Sequence, residues 1–93
     1  MRDSQFEWDD RKAVTNANEH RVTFELARLA FADPGAVDRL DLDESDEDRM
    51  LLTGLVNDVL ITVCFVERGR RIRIISARRA TRREQSDYNR QAS

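Results

Sequence analysis

Residues 59–66 are the strongest constraint on this chain. They form its longest uncharged apolar run, and the run is apolar on both parities. In an extended segment side chains alternate, so Val59, Ile61, Val63 and Phe65 point one way and Leu60, Thr62, Cys64 and Val66 the other. A strand greasy on both rows needs cover on both faces, which makes it the centre of a sheet. The run is too short to span a bilayer. With 93 residues, a domain of this size buries only about 60–65 % of its unfolded surface. That allows one modest core and excludes a two-domain enzyme with an interdomain cleft.

The flanking segments follow from this centre. Residues 50–56 read as a partner strand, and Asn57-Asp58 reads as a two-residue hairpin turn. Arg68-Gly69-Arg70 is the next turn. Residues 71–77 read as a third strand, with Ile72, Ile74 and Ser76 on one face and Arg71, Arg73 and Ile75 on the other. Near the start, Gln5-Phe6-Glu7-Trp8 alternates as a short strand that inserts Phe6 and Trp8. Asp9 or Asp10 can cap a helix over residues 10–20, on which Lys12, Asn16 and His20 form a slowly drifting stripe. Thr23 caps a second, largely apolar helix that Asp33-Pro34-Gly35 stops. Residues 38–48 hold seven acids and read as a solvated loop. Val37, Leu40 and Leu42 give only a weak strand signal there. A calcium loop is excluded, because Asp46 stands where the turn glycine belongs and Leu52 where the bidentate glutamate belongs. Thr81-Arg82-Arg83-Glu84 is a capping box that opens a C-terminal helix. Tyr88 and Ala92 are that helix's only apolar anchors, so it is expected to fray or to dock on something else. The expectation is α+β over residues 1–93 as one domain. A small antiparallel sheet of about four or five strands carries two N-terminal helices and one C-terminal helix, segregated to one face.

Charge is divided between the halves. Residues 1–48 carry 14 acids and 6 bases, whereas residues 49–93 carry 4 acids and 10 bases. Eight of the residues from Arg68 to Arg83 are arginine. Guanidinium makes bidentate contacts with phosphate, a strand holds such groups in place, and residues 78–83 stand at a helix N-terminus. These features point to one arginine-lined pocket for phosphate or nucleic acid. The competing reading is a scaffold whose arginines pair with its own acids. Few aromatics are left over for base stacking, and no helix-turn-helix, zinc-finger or RRM pattern is present.

One cysteine, Cys64, and one histidine, His20, cannot assemble a standard zinc site. No ordered carboxylate cluster is placed for magnesium, so no metal or other cofactor is expected. If RNA is cleaved, its own 2′-hydroxyl serves as nucleophile, and the protein supplies a base, an acid and cations. A two-histidine scheme is impossible. The titratable candidates are His20, Lys12, Tyr88 and Glu67. Histidine titrates near neutral pH unaided, whereas lysine and tyrosine need large depressions. Glu67 beside Arg68 reads as an ion-pair partner. Met1-Arg2-Asp3-Ser4 lacks the apolar stretch of a signal peptide, and the single buried thiol suits a reducing compartment, so the expected location is cytoplasmic.

Phe6-Glu7-Trp8-Asp9 with Lys12, Asn16 or Asn18, then His20, Val22, Phe24 and Phe31-Ala32-Asp33-Pro34, resembles the opening of BrnT-type toxins. The stretch from Glu67 to Glu84, with Arg73-Ile74-Ile75-Ser76-Ala77-Arg78-Arg79-Ala80 at its heart, is similar to the most recognisable segment of that family. The resemblance implies a RelE-like fold and a metal-independent ribonuclease. It also implies a BrnA-like ribbon-helix-helix antitoxin, in a complex of two toxins and two antitoxins that meets operator DNA only through the antitoxin. It points to Lys12, His20, Arg73, Arg78 and Arg79 as catalytic candidates. Arg68, Arg71, Arg82 and Arg83 are candidate RNA contacts, with Glu67, Ser76 and Tyr88 in support. The chain departs from the family at Glu19-His20-Arg21, where Lys-His-Gly is usual. A carboxylate beside a phosphate site is repulsive, and Arg21 takes the place of a glycine. A second function class is therefore a binding module, weak or inactive in catalysis, that works through the antitoxin and operator complex.

Overall fold

A computed structural model describes residues 5–42 and 48–92, without the side chain of Ala92. The elements are β1 (Phe6–Glu7), α1 (Asp10–His20), α2 (Phe24–Ala27) running into a 3-10 segment (Arg28–Ala32), β2 (Val37–Leu40), β3 (Met50–Val56), β4 (Val59–Arg68), β5 (Arg71–Arg79) and α3 (Arg82–Ala92). The five strands lie in the order β1-β5-β4-β3-β2. Thus β4, which carries the two-sided apolar run, is central. β1 pairs parallel with β5 and the other pairs are antiparallel, so the sheet is mixed. Asn57 and Asp58 both have left-handed backbones, φ 48° and 67°. That is the geometry a tight two-residue hairpin requires.

The main core lies on one face. Phe24, Ala27 and Ala30 pack with Ile61, Val63, Phe65 and Ile74. The approach is closest at Gly54, where a Cβ would stand 2.5 Å from the Ala30 carbonyl oxygen. Glycine is what lets the 3-10 segment lie down on β3. Phe31 meets Phe6 and Phe65 edge-on at 5.3 and 4.9 Å, and Trp8 meets Phe24 at 5.7 Å. The two aromatics of the alternating N-terminal strand are therefore buried, as their spacing predicts.

Four expectations need correction. First, the helices do not share a face. Thr62 alternates with core-facing Val63, yet its hydroxyl donates to Glu84 of α3 at 2.9 Å, so α3 lies on the face opposite α2. Second, α3 is anchored to its own sheet through polar groups rather than left frayed. Glu84 is 3 % exposed, and the Tyr88 hydroxyl donates to Asp33 at 2.7 Å. Ala92's side chain lies outside the described residues. Third, β5 is not a regular alternation. Cys64 pairs with Ser76 and Phe65 with Ile74, leaving Ile75 as an extra residue. A bulge reverses parity beyond it. Ser76 therefore shares a face with Arg73 and Arg78, not with Ile72 and Ile74. Fourth, the acidic stretch begins inside a strand, since β2 covers Val37–Leu40 at the sheet's edge. Asp43, Glu44, Asp46 and Glu47 lie outside the described residues. No helix among those described is long and apolar enough to cross a membrane.

Candidate active site

Helix α1 is fixed at both ends. At its start, the Asp9 carboxylate accepts from the Arg11 and Lys12 backbone N–H groups at 2.8 and 3.1 Å. Those two bonds, Lys12's first, hold the Asp9 carboxyl below its usual range. At its end, Arg21 adopts a left-handed backbone, φ 60°, and its N–H returns to the Ala17 carbonyl at 3.0 Å.

Between the ends, Asn16 attaches the helix to the sheet. β1 covers the outer edge of β5 only at Ile72 and Arg73. Farther along, that edge is met by the buried Asn16 carboxamide. Its nitrogen donates to the carbonyls of Ala77 and Val22, both at 2.9 Å, and its oxygen accepts from the Ala77 N–H at 3.0 Å. One side chain thus replaces a strand for one residue of β5.

This clamp turns the Lys12–Asn16–His20 stripe toward β5. Lys12, His20, Glu19 and Thr15 form one wall of an open groove of about 270 Å³, and Ile75 and Ser76 at the bulge form the other. Three sequence-predicted residues, Lys12, His20 and Ser76, therefore come together. Arg11 lines the same groove and was not singled out by sequence. Its position, one residue before Lys12 in the first turn, was the only available signal. Glu19 Oε2 lies 3.8 Å from His20 Nε2, with the histidine side chain 41 % exposed.

The arginines do not converge there, which corrects the expectation of one guanidinium-lined pocket. Arg73 donates to Glu7 of β1 at 2.8 Å. Arg78 makes a bidentate pair with Glu84 at 2.7 and 3.1 Å, and Arg39 reaches the same carboxylate at 2.8 Å. Thr62 Oγ1 and the Thr81 N–H complete the set at 2.9 and 2.8 Å. Burial alone would raise the Glu84 carboxyl, but the hydrogen bonds from Arg78, Arg39, Thr81 and Thr62 prevail and hold it far below the usual range. In return, Glu84 raises the Arg78 guanidinium. The capping box in the sequence marked Glu84 as a cap, but its second task as a buried counter-ion had no local signature.

The remaining candidates are spread out. Arg79 lies beyond the Asn16 clamp on the α2 side of β5, beside Arg21 at a smaller apolar cavity. Arg68, Arg82, Arg83 and Glu67 are exposed, and Arg71 is half-buried. Among the described residues, no ion pair joins Glu67 to Arg68. The Tyr88 hydroxyl is bound to Asp33, whose carboxylate raises it, the direction opposite to that a general base needs. Cys64 is buried, with Asp41 at 3.9 Å from its sulfur. Among the described residues no three His, Cys, Asp or Glu side chains cluster as metal ligands.

Comparison with known proteins adds one match. The family model described as the ribonuclease toxin BrnT of a type II toxin–antitoxin system covers residues 8–84. That span runs from Trp8, through the groove residues of α1 and β5, to Glu84. No curated protein matches the chain.

Proposed function

Because the chain belongs to the BrnT family of ribonuclease toxins from type II toxin–antitoxin systems, we propose that the groove between α1 and β5 is where it cleaves RNA. The observation that carries this reading is the meeting of Lys12, His20 and Ser76 on the two walls of one open groove. In the proposed reaction the ribose 2′-oxygen attacks the adjacent phosphorus and the P–O5′ bond breaks, leaving a 2′,3′-cyclic phosphate and a 5′-hydroxyl. His20, as the one imidazole, takes the 2′-hydroxyl proton. The Lys12 ammonium neutralises charge on the phosphoryl oxygens and returns a proton to the leaving 5′-oxygen. Ser76 positions the phosphate. Arg79 and the exposed Arg68, Arg82 and Arg83 hold the strand on either side. Arg73 and Arg78, committed to Glu7 and Glu84, act by keeping β5 in place. The route uses no metal.

The test is cleavage of a defined RNA by the purified chain in EDTA, beside His20→Ala. Cyclic-phosphate products that disappear in the variant support the proposal. Abolition by the chelator, or undiminished cleavage by the variant, overturns it.

The Glu19 carboxylate, 3.8 Å from His20, favours a second reading, in which the chain is weak or inactive in cleavage and works as a binding module through its antitoxin and operator complex. Glu19→Lys separates the two, because a large gain in cleavage would show that the carboxylate restrains the site. For the partner, the proposal is a BrnA-like ribbon-helix-helix antitoxin in a two-to-two complex that contacts operator DNA through the antitoxin. A short neighbouring gene of that type, and co-purification with its product, test it.

A further inference from the structure

We propose that the cavity between Arg21 and Arg79 is a base-binding subsite, which takes a single-ring nucleobase from the nucleotide next to the cleaved bond and holds its phosphate between the two guanidiniums. The proposal rests on the RNA-cleavage reading above and assigns it a specificity element.

The cavity is about 160 Å³, with Val22, Leu26, Val56, Val59 and Ile61 as its apolar lining. An apolar cavity of ~150 Å³ accommodates one benzene-sized ring, so the space suits a pyrimidine better than a purine. None of the lining residues is acidic, and the two charged ones, Arg21 and Arg79, are both arginine. Guanidinium can pair with phosphate and also lie flat against a base. Asn57, at the hairpin turn, is the further polar lining residue. Its carboxamide offers a donor and an acceptor, the equipment for reading the edge of a flipped-out base.

Placement joins this cavity to the groove. Arg21 directly follows His20, and Arg79 lies three residues beyond Ser76 on β5. Three residues of strand span about 10 Å; because Ser76 and Arg79 point to opposite faces of β5, an extended single strand joining the two hollows passes round the sheet edge at the end of α1. The two hollows lie on either side of the Asn16 clamp, which bonds to Val22 on one element and to Ala77 on the other.

Arg21 itself supports a role in binding. Its backbone is left-handed, φ 60°, a conformation that glycine adopts freely and that costs other residues energy. The chain carries a long cation at a position where the fold alone would favour glycine.

The experiment follows the methyl resonances of Val22, Val56, Val59 and Ile61 during titration with uridine, cytidine, adenosine and guanosine monophosphates. Uridine and cytidine monophosphates should shift these methyls at lower concentration than the purine nucleotides. Arg21→Gly, which relieves the backbone and so preserves the fold, should weaken that binding about tenfold, the loss of one charge-assisted contact. Absence of shifts with every mononucleotide, equal binding of purines and pyrimidines, or unchanged affinity in Arg21→Gly overturns the subsite. An acidic peptide that shifts the same methyls when mononucleotides do not would assign the cavity to a protein partner and also overturn it. Cleavage without methyl shifts removes the subsite and leaves the ribonuclease reading intact. Methyl shifts without cleavage do the reverse.

Discussion

Arg78 and Arg79 are neighbours of identical chemistry with different circumstances. Arg78 shares the face of Thr62 and is bound by Glu84. Arg79 shares the face of Ile61 and lies exposed beside a cavity. One residue of strand, and hence one reversal of side-chain direction, separates a structural ion pair from a cation available to solvent. The same division runs through the molecule. Beneath α3 lies a closed polar knot around Glu84, and beside α1 lies an open groove around His20. An arginine-rich sequence therefore does not define an arginine-rich site until the parity of each residue is known.

Four substitutions probe the division. The largest effect is expected from His20→Gln, which should lower cleavage of a defined RNA by 10²–10⁴-fold, the usual scale for loss of a general acid–base group. Its urea midpoint should remain that of the parent, because the ring is exposed. Glu84→Gln should do the converse. Removing one partner of a buried ion pair costs about 3–5 kcal/mol; the lower end applies here, because the side chains of Arg39 and Arg78 keep 46 % and 35 % exposure. Urea denaturation should show that loss, while cleavage per folded molecule persists. A Glu84→Gln protein that is fully stable but inactive would erase the distinction between knot and groove.

Asn16→Ala should fall between these two on both scales. It strands the Ala77 N–H and two carbonyls, and leaving buried polar groups unpaired costs about 1–3 kcal/mol. It should also displace Lys12 and His20 from Ser76, so stability and cleavage fall together. Arg21→Gly is the smallest, an expected gain of about 1 kcal/mol at the helix end from relief of the left-handed backbone. A lowered urea midpoint would show that Arg21 makes a stabilising contact that outweighs its strain.

Acid titration sharpens the comparison from another side. The folded-state carboxyl of Glu84 is depressed, so its stabilising contribution is present above its unfolded value near 4.5 and is lost as pH falls below it. Asp33, held down first by the Tyr88 hydroxyl, adds a loss of the same sign. Thermal melts in the parent should therefore decline below about pH 4.5, and that decline should be shallower in Glu84→Gln.

The sequence made some of this legible and left the rest hidden. The two-sided apolar run placed β4 at the centre, the Asn57-Asp58 pair marked the hairpin, and Asp9, Thr23 and Thr81 marked three helix starts. All of these are local signals. The short inventory of titratable groups named Lys12 and His20, helical spacing put them on one stripe, and the family resemblance pointed to the same pair. What stayed hidden was set by distant partners. The bulge at Ile75 depends on β4, and without it Ser76 is assigned to the wrong face. The α3 anchor depends on Arg39 and Arg78, one of them 45 residues away, so a helix that reads as underpacked is in fact tied down. The parallel pairing of β1 with β5 has no signature within Gln5-Phe6-Glu7-Trp8 itself.

That pairing, together with the Asn16 bonds to Ala77, has a bearing on when during synthesis the groove can form. The two walls of the groove come from distant segments, 61 residues apart at the clamp. During synthesis, α1 leaves the ribosome long before β5 has been translated, and contacts of such long sequence separation form late in folding. A nascent chain carrying Lys12 and His20 has nothing to set them against, so the groove first exists once β5 has been made.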